Sequence, residues 1–326
     1  MIARLFAFLS LAVLAACASP QVEDAPPAPA AVPPHYQALV DGEFEIPAVE
    51  SLHLFGDNAR QEVAYAGDEK PGSIVVDIFA RRLYYVMEGG RAMRYGIAVG
   101  REGLSFKGTG YIGRKAEWPN WQPTANMIRT RPDLYAEYAA GLPGGLDNPL
   151  GARALYLYRG GRDTMFRIHG TIDNASIGRA TSAGCIRLFN QDIIDLYNRV
   201  DSGAFVKVRT LEESLAAEGP FMDDAYGRVV PDNEANRLQK EADIIAIAEA
   251  EKKAVEDARL ANEQAQKDYE KAKRLAERRC RNKRIPAEEC VLPEPPIPAE
   301  TVTLSDGREI PIDPPFIELA ASDPST

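Results

Sequence analysis

The chain has 326 residues, is 45% hydrophobic and carries a formal net charge of -10. That length supports one good-sized domain with extensions, or two small ones. The acidic balance excludes a general nucleic-acid binder, which needs a basic surface against phosphate, and past the first twenty residues no apolar run is long enough to cross a bilayer.

The opening segment, "MIARLFAFLSLAVLAAC", has an early Arg4, an apolar run and then small residues. That is the layout of a secretory signal, so residues 1–17 are set aside from the fold. "LAAC", Leu14 to Cys17, resembles a bacterial lipobox. The resemblance implies that Cys17 is lipidated and becomes the new N-terminus, a membrane anchor strengthened by about 0.8 kcal/mol per buried methylene. Ala18 follows where an aspartate would mark inner-membrane retention, which points to a periplasmic protein held at the outer membrane. Residues 18–40 are rich in Pro and Ala and read as an extended linker. Residues 41–70 read as an N-terminal arm packed on the domain that follows.

From about Gly72 the texture becomes that of strands. "SIVVDIF" (73–79) and "RLYYVME" (82–88) are rich in β-branched and aromatic residues and predict a hairpin, with "RYGIAVG" (94–100) as a third strand. A loop-rich insert spans about Lys107 to Leu150 and reads as a lid or binding loop. "RALYLYR" (153–159), "TMFRIHG" (164–170) and "AFVKVR" (204–209) are further strands. Between the last two, "NQDIIDLYNRV" (190–200) places Ile193, Ile194, Leu196, Tyr197 and Val200 for one helix face, with Asn190 as N-cap. The fold class is therefore a mainly β catalytic domain at 71–210, with a short helix after the motif described below.

After Val230 the composition shifts to Ala, Glu, Lys, Arg, Leu and Gln, which predicts one charged helix over 231–284, about 70 Å long and capped by Asp232. Its large apolar residues, among them Leu238, Ile244 and Ile245, fall in the first half, which is expected to dock on the catalytic domain. The second half is left for a protein partner. Cys280 and Cys290 flank a short polar stretch in an oxidising compartment and are expected to form a disulfide. In the Pro-rich tail, 285–326, "TVTLSDGREIPI" (301–312) has an Asp-Gly turn between apolar flanks and suggests a small hairpin.

"TSAGCIRLF" (181–189) places Cys185 between Gly184 and Ile186, with Ser182 three residues ahead. A thiol attacks only as a thiolate, so it needs a base or a positive environment. His169 ends a predicted strand, and the Gly/Ser/Thr-rich loop after it can fold back to bring the imidazole to the sulfur. Gly184 allows close backbone approach and helps present N–H groups to an oxyanion. A buried structural cysteine and a structural histidine are the bland alternatives, but the pairing through this loop favours catalysis. A metal site would need more Cys or His near by, and the region offers none. No cofactor is expected.

These residues resemble a known family. "RIHGT…SIG…TSAGCIRLFNQDIIDLY" looks like the active-site signature of L,D-transpeptidases with the YkuD-type catalytic domain, and "PGSIVVD", "YGIAVGREG" and "GGLDNPLGARALYLY" extend the likeness over about Pro71 to Arg209. The resemblance implies a β-sandwich-like fold acting on peptidoglycan stem peptides. Cys185 would attack the carbonyl between a third-position diamino acid and a terminal D-alanine. The resulting thioester would pass to an amine of another stem, a protein or a D-amino acid. It implies His169 as general base and acid, the Gly170 carbonyl as the group that holds its tautomer, and the N–H groups of Cys185 and Gly184 as the oxyanion hole, with Ser182 in the same loop. Thr171 would line the substrate site, and Arg187 would either fix a substrate carboxylate or brace the loop. Many members have His where this chain has Ala183, and some have Asn where it has Arg187, which leaves donor specificity open. A hydrolase passing the same thioester to water is one alternative. A non-catalytic peptidoglycan-binding tether is another, and the intact His169–Cys185 pair argues against it.

Overall fold

The computed structural model describes residues 32–100, 106–181, 186–286, 289–304 and 308–312. Cys17, Ser182, Gly184 and Cys185 lie outside the described residues. The chain enters through a helical turn at Pro34–Tyr36 and a hairpin of β1 (Leu39–Asp41) and β2 (Phe44–Ile46). Tyr36 falls in the stretch expected to be linker, yet it is 0% exposed. Its ring meets Phe189 edge-on at 5.7 Å between centroids, and its hydroxyl donates to Asp192 at 2.9 Å. Arg60 completes the cluster with an ion pair to Asp192 at 3.1 Å. The linker reading therefore fails for its last residues: a single aromatic anchor was hidden by its proline-rich surroundings. On the arm, Asp41 accepts from Arg153 at 2.6 and 2.8 Å and from the Trp118 indole at 2.8 Å, so the hairpin is fastened to the domain.

The strands that follow are β3 (Gln61–Ala64), β4 (Ile74–Asp77), β5 (Arg82–Met87), β6 (Arg91–Gly96) and β7 (Ala98–Gly100). The expected third strand is thus two strands. β6 lies between β5 and β3, whereas β7 is the second strand from the opposite end of the sheet. The chain changes leaf at Gly96, where a Cβ would lie 2.7 Å from the Asn58 Cα, a contact no side chain allows.

β8 (Gly108–Glu117) occupies the start of what reads as a loop-rich insert. Its glycines mislead: a Cβ at Gly113 would sit 2.4 Å from the Tyr158 ring, and one at Gly110 would sit 2.9 Å from the Tyr158 carbonyl oxygen. They clear space for a cross-strand tyrosine rather than marking a turn. The remainder of the insert holds α1 (Ala125–Thr130) and α2 (Pro132–Tyr135).

The later elements of the domain are β9 (Arg153–Arg159), β10 (Arg162–His169), β11 (Ala180–Thr181), β12 (Ile186–Arg187), α3 (Asn190–Arg199) and β13 (Phe205–Val208). Among the described residues they complete an 11-stranded sheet ordered β11-β7-β12-β10-β9-β8-β13-β4-β5-β6-β3. Side chains from distant strands share one apolar cluster, including Leu83 and Tyr95, Val99, Leu157 and Ile186, with Ile193 and Leu196 of α3. The sheet therefore curls around one main core, as long twisted sheets do, with smaller apolar clusters around Tyr36 and Phe189 and around Tyr65 and Tyr84. β13, the last strand, sits in the middle, antiparallel to β8 and parallel to β4. This is the mainly β fold expected, with its short helix and a long C-terminal one.

Asn190 is not the N-cap of α3. Phe189 holds that position without a side-chain bond. Beyond β13, α4 (Leu211–Glu218) starts with a capping box between Thr210 and Glu213, and β14 (Phe221–Asp223) pairs with β15 (Val229–Pro231). α5 (Glu234–Lys283) has 50 residues and is about 75 Å long. Asn233, not Asp232, caps it, accepting the Asn236 N–H at 2.9 Å, while Asp232 pairs with Arg237 at 2.6 Å.

The first half of α5 does not dock as expected. Leu238 is 60% and Ile245 61% exposed. The domain's core closes without them, and near its start α5 meets the domain through polar groups such as Lys240, which donates to the Asp223 carbonyl at 2.7 Å. Instead the tail returns along the helix. Cys280 and Cys290 are joined with a Cα–Cα distance of 5.8 Å, and Asn262 exchanges two hydrogen bonds with Ala299. β16 (Thr301–Thr303) and β17 (Glu309–Pro311) form a hairpin there, and Arg308 pairs with Glu251.

Candidate active site

His169 ends β10 and is 4% exposed. Its Cα is in register with Ala154 of β9 on one side and Arg187 of β12 on the other. Its Nδ1 lies 2.6 Å from the Gly170 carbonyl oxygen. A carbonyl only accepts, so Nδ1 carries the proton and the neutral ring leaves Nε2 as an acceptor. Burial, with the Arg187 charge second, lowers the imidazole to about 4, so it is neutral at neutral pH. Neutrality and tautomer are the two properties a general base requires.

Asn190 shapes this corner. Its Oδ1 accepts the Ala152 N–H at 2.9 Å and its Nδ2 donates to the Thr171 carbonyl at 3.0 Å. Facing buried strand ends whose backbone groups need partners, its amide serves them rather than its own helix. A Cβ at Gly170 would lie 2.2 Å from that Oδ1, so glycine is required beside the histidine. Thr171 is buried, and its hydroxyl accepts the Asp173 N–H at 3.0 Å. Arg187 approaches Asp173 at 3.9 Å, which is contact with the loop it was expected either to brace or to leave for substrate.

The loop from Gly170 to Thr181 is held from several directions. Gly178 gives its N–H to the Ile97 carbonyl at 3.1 Å, and its own carbonyl accepts from Arg81 at 3.0 Å and from the Val229 N–H at 2.9 Å. Asn58 donates to the Ile177 carbonyl at 3.1 Å. Arg228 of the hairpin before β15 forms a bridge with Arg179, and Asp223 pairs with Arg81. The β14–β15 hairpin is thus a support of the loop leading toward Cys185. A chain ending after Asn233 should keep activity within about threefold of the full chain, whereas one ending after Gly219 loses the Val229 bond and the Asp223 pair and should fall at least tenfold, since each charged or buried bond contributes roughly 1–3 kcal/mol. Steady-state rates of the two truncations check this; equal rates would remove the hairpin from the loop's support.

His169, Thr171 and Arg187 open onto a cavity of about 850 Å³. Its far wall is the insert, where Trp121 lies 6.3 and 6.1 Å from the rings of Tyr135 and Tyr138 and exchanges backbone bonds with Leu142. Asn148 ties the insert down by donating to the carbonyls of Pro119 and Pro143 at 3.0 and 2.8 Å. The insert is therefore an aromatic cover braced at its base. Ile186, covalently joined to Cys185, is in register with Ile168, next to the histidine. No cluster of metal-ligating side chains occurs among the described residues.

Sequence comparison bears on this geometry. The L,D-transpeptidase catalytic-domain family YkuD matches residues 71–208. The probable L,D-transpeptidase YbiS of Escherichia coli K12 is 36% identical over 154 residues, covering 44% of this chain and 46% of that one. A putative L,D-transpeptidase from the ATP synthase subunits region of Fuscovulum blasticum is 36% identical over 137 residues, and 68% of its length is covered. The chain belongs to the YkuD L,D-transpeptidase family. It spans about half the length of YbiS, so the match concerns the catalytic domain. A solved structure from Brucella melitensis, named as a probable carnitine operon oxidoreductase, is 46% identical, covering 48% of this chain and 96% of that one at a TM-score of 0.35. That superposition is too slight to bear on the reaction, and the activity in its name is not carried over. Within the transpeptidase domain, sequence reasoning found His169, Thr171 and Arg187, which the fold brings to one cavity, and Gly170, whose carbonyl meets the histidine. It missed Asn190 as a strand-end clamp and Asn148 as the brace of the cover. Asn148 stood in the quoted "LDNPLG" stretch, where Asn before Pro signals a turn.

Proposed function

We propose that this domain cleaves and transfers peptidoglycan stem peptides through a thioester on Cys185. The observation that carries the reading is His169: buried, neutral, fixed through Nδ1 and lining an aromatic-covered cavity. His169 Nε2 takes the thiol proton as the sulfur attacks the carbonyl between the third-position diamino acid and D-alanine. The N–H groups of Cys185 and Gly184 stabilise the oxyanion. The C–N bond then breaks, the imidazolium gives its proton to the departing D-alanine amine, and the thioester remains. An acceptor amine attacks, loses a proton to His169, and the thiol re-forms. The Gly170 carbonyl serves where a carboxylate does in other triads. Ser182 belongs to the loop that presents the thiol.

The anchor and the placement belong to the same reading: lipid on Cys17 and a proline-rich spacer would hold the domain at the outer membrane, facing the wall. The exposed apolar residues of α5 support a role in meeting a protein partner.

The test is incubation of the purified protein with tetrapeptide stems, followed by mass spectrometry. Release of D-alanine together with a joined product supports transfer. Release with only a shortened stem makes water the acceptor and the protein a hydrolase. If no D-alanine appears, the reading is wrong.

A further inference from the structure

Three neighbouring strands set Arg114, Tyr156 and Arg167 side by side. Tyr156 of β9 is in register with Arg114 of β8 and with Arg167 of β10. The guanidinium carbons lie 3.7 and 4.2 Å from the centre of the same ring. Two such groups at those distances cannot share one face of a ring without overlapping, so the tyrosine is sandwiched between them. All three side chains line the cavity that His169 also lines.

The two arginines are not equivalent. Arg167 is engaged by Asp163 at 2.7 and 2.9 Å and donates to the Phe166 carbonyl at 2.9 Å. Arg114 is exposed and lies against the face of Tyr156. Asp163, which senses its charge, accepts its hydrogen bonds from Arg167 and from the Met165 N–H. Stacking fixes the plane of the Arg114 guanidinium and leaves its N–H fork for another partner, the geometry that suits a carboxylate.

Register gives the reach. His169 pairs with Ala154, two residues from Tyr156 along β9. Two residues of strand are about 6.6 Å, and Arg114 stands two strands, about 9.6 Å, across from His169, so the fork, drawn back over the Tyr156 ring, lies roughly 10 Å from the histidine's place on the sheet. A stem peptide carries carboxylates within that reach of the scissile carbonyl. One is the C-terminus of the departing D-alanine, and the other is the second carboxylate of a diamino diacid at position three.

We propose that Arg114, held flat on Tyr156, binds a carboxylate of the donor stem and sets donor specificity. The inference rests on the stem-peptide reading above. The experiment compares the full chain with Arg114→Gln and Arg114→Lys on tetrapeptide donors, and on donors amidated at the D-alanine C-terminus or at the side-chain carboxyl. Arg114→Gln should raise KM roughly ten- to hundred-fold, the usual loss for a hydrogen bond to a charged group, with kcat within about threefold. Arg114→Lys should fall between. Amidating the carboxylate that Arg114 binds should raise the parent's KM similarly and leave Arg114→Gln unaffected, and whichever amidated donor shows this names the source. A role in packing alone would lower thermal stability and leave the response to amidation the same in parent and variant, which would overturn the inference while the parent's turnover left the function standing. A parent that turns over none of these donors would overturn both.

Discussion

Cys185→Ala should abolish covalent acylation by a carbapenem, a reagent that acylates the cysteine of this family. Among four cysteines, Cys280 and Cys290 are joined to each other and Cys17 precedes the catalytic domain in the sequence, so Cys185 remains as the thiol of that domain. Intact-mass analysis should give an adduct on the parent, mapped by peptide sequencing to the 181–187 stretch, and none on the variant. D-Alanine release should vanish with it. Losing one sulfur usually costs a few kcal/mol at most, so the variant should fold. An adduct on both proteins would refute Cys185 as the nucleophile.

His169→Ala should slow transfer about 100- to 10,000-fold, the usual loss when a general base is removed. The pH dependence separates this role from a merely structural one. Burial and the neighbouring Arg187 hold the imidazole near 4, against 6.5 for an ordinary histidine. The acid limb of the parent's kcat/KM profile should therefore lie well below 6.5. Stability is linked to the same shift. Between pH 6.5 and 4 the unfolded chain takes up the proton and the folded one does not, so His169 contributes stability that is complete above 6.5 and is lost as pH falls through that window, by about 3 kcal/mol. Asp192 has the opposite sign. Burial raises it to about 7 against the pull of Arg60 and Tyr36, so its contribution is complete below 3.8 and fades as pH rises through 7. In the parent the two slopes oppose each other. In the His169→Ala variant the Asp192 slope stands uncompensated, and urea midpoints should rise from pH 7 to pH 5 relative to the parent. Identical midpoint curves for the two proteins would show that His169 is not held neutral by the fold.

The elements that could be read from the sequence are those whose residues record their own burial. β5 and β9 are runs of aromatic and branched residues, and they form where those runs lie. The long helix was legible from composition, because Ala, Glu, Lys and Arg favour it locally whatever it touches. What it touches was not. Leu238 and Ile245 read as a docking face but stay exposed, and what meets the helix is its own returning tail, further along at Asn262 and Glu251. β8 was lost because its glycines answer to Tyr158 on the next strand, a neighbour more than forty residues away that no local pattern reveals. Tyr36 was lost for a similar reason: its partners, Asp192 and Phe189, lie more than 150 residues further along the chain. In the active site, the motif displayed the histidine and its glycine. The Arg114–Tyr156–Arg167 stack was invisible because it exists only once three strands are in register.

The central position of the last strand has a consequence for biogenesis. β13 fills the gap between β8 and β4, so residues 206–208 must arrive before residues 74–76 have a parallel neighbour. Closing so long a loop carries its entropic cost before any contact rewards it, and such topologies fold slowly. A chain emerging N-terminus first cannot complete the domain until β13 has emerged, by which time the histidine and cysteine segments are already out. The sheet halves and their thiol would wait together as an unfinished surface, and the enzyme would become competent in one late step rather than piece by piece.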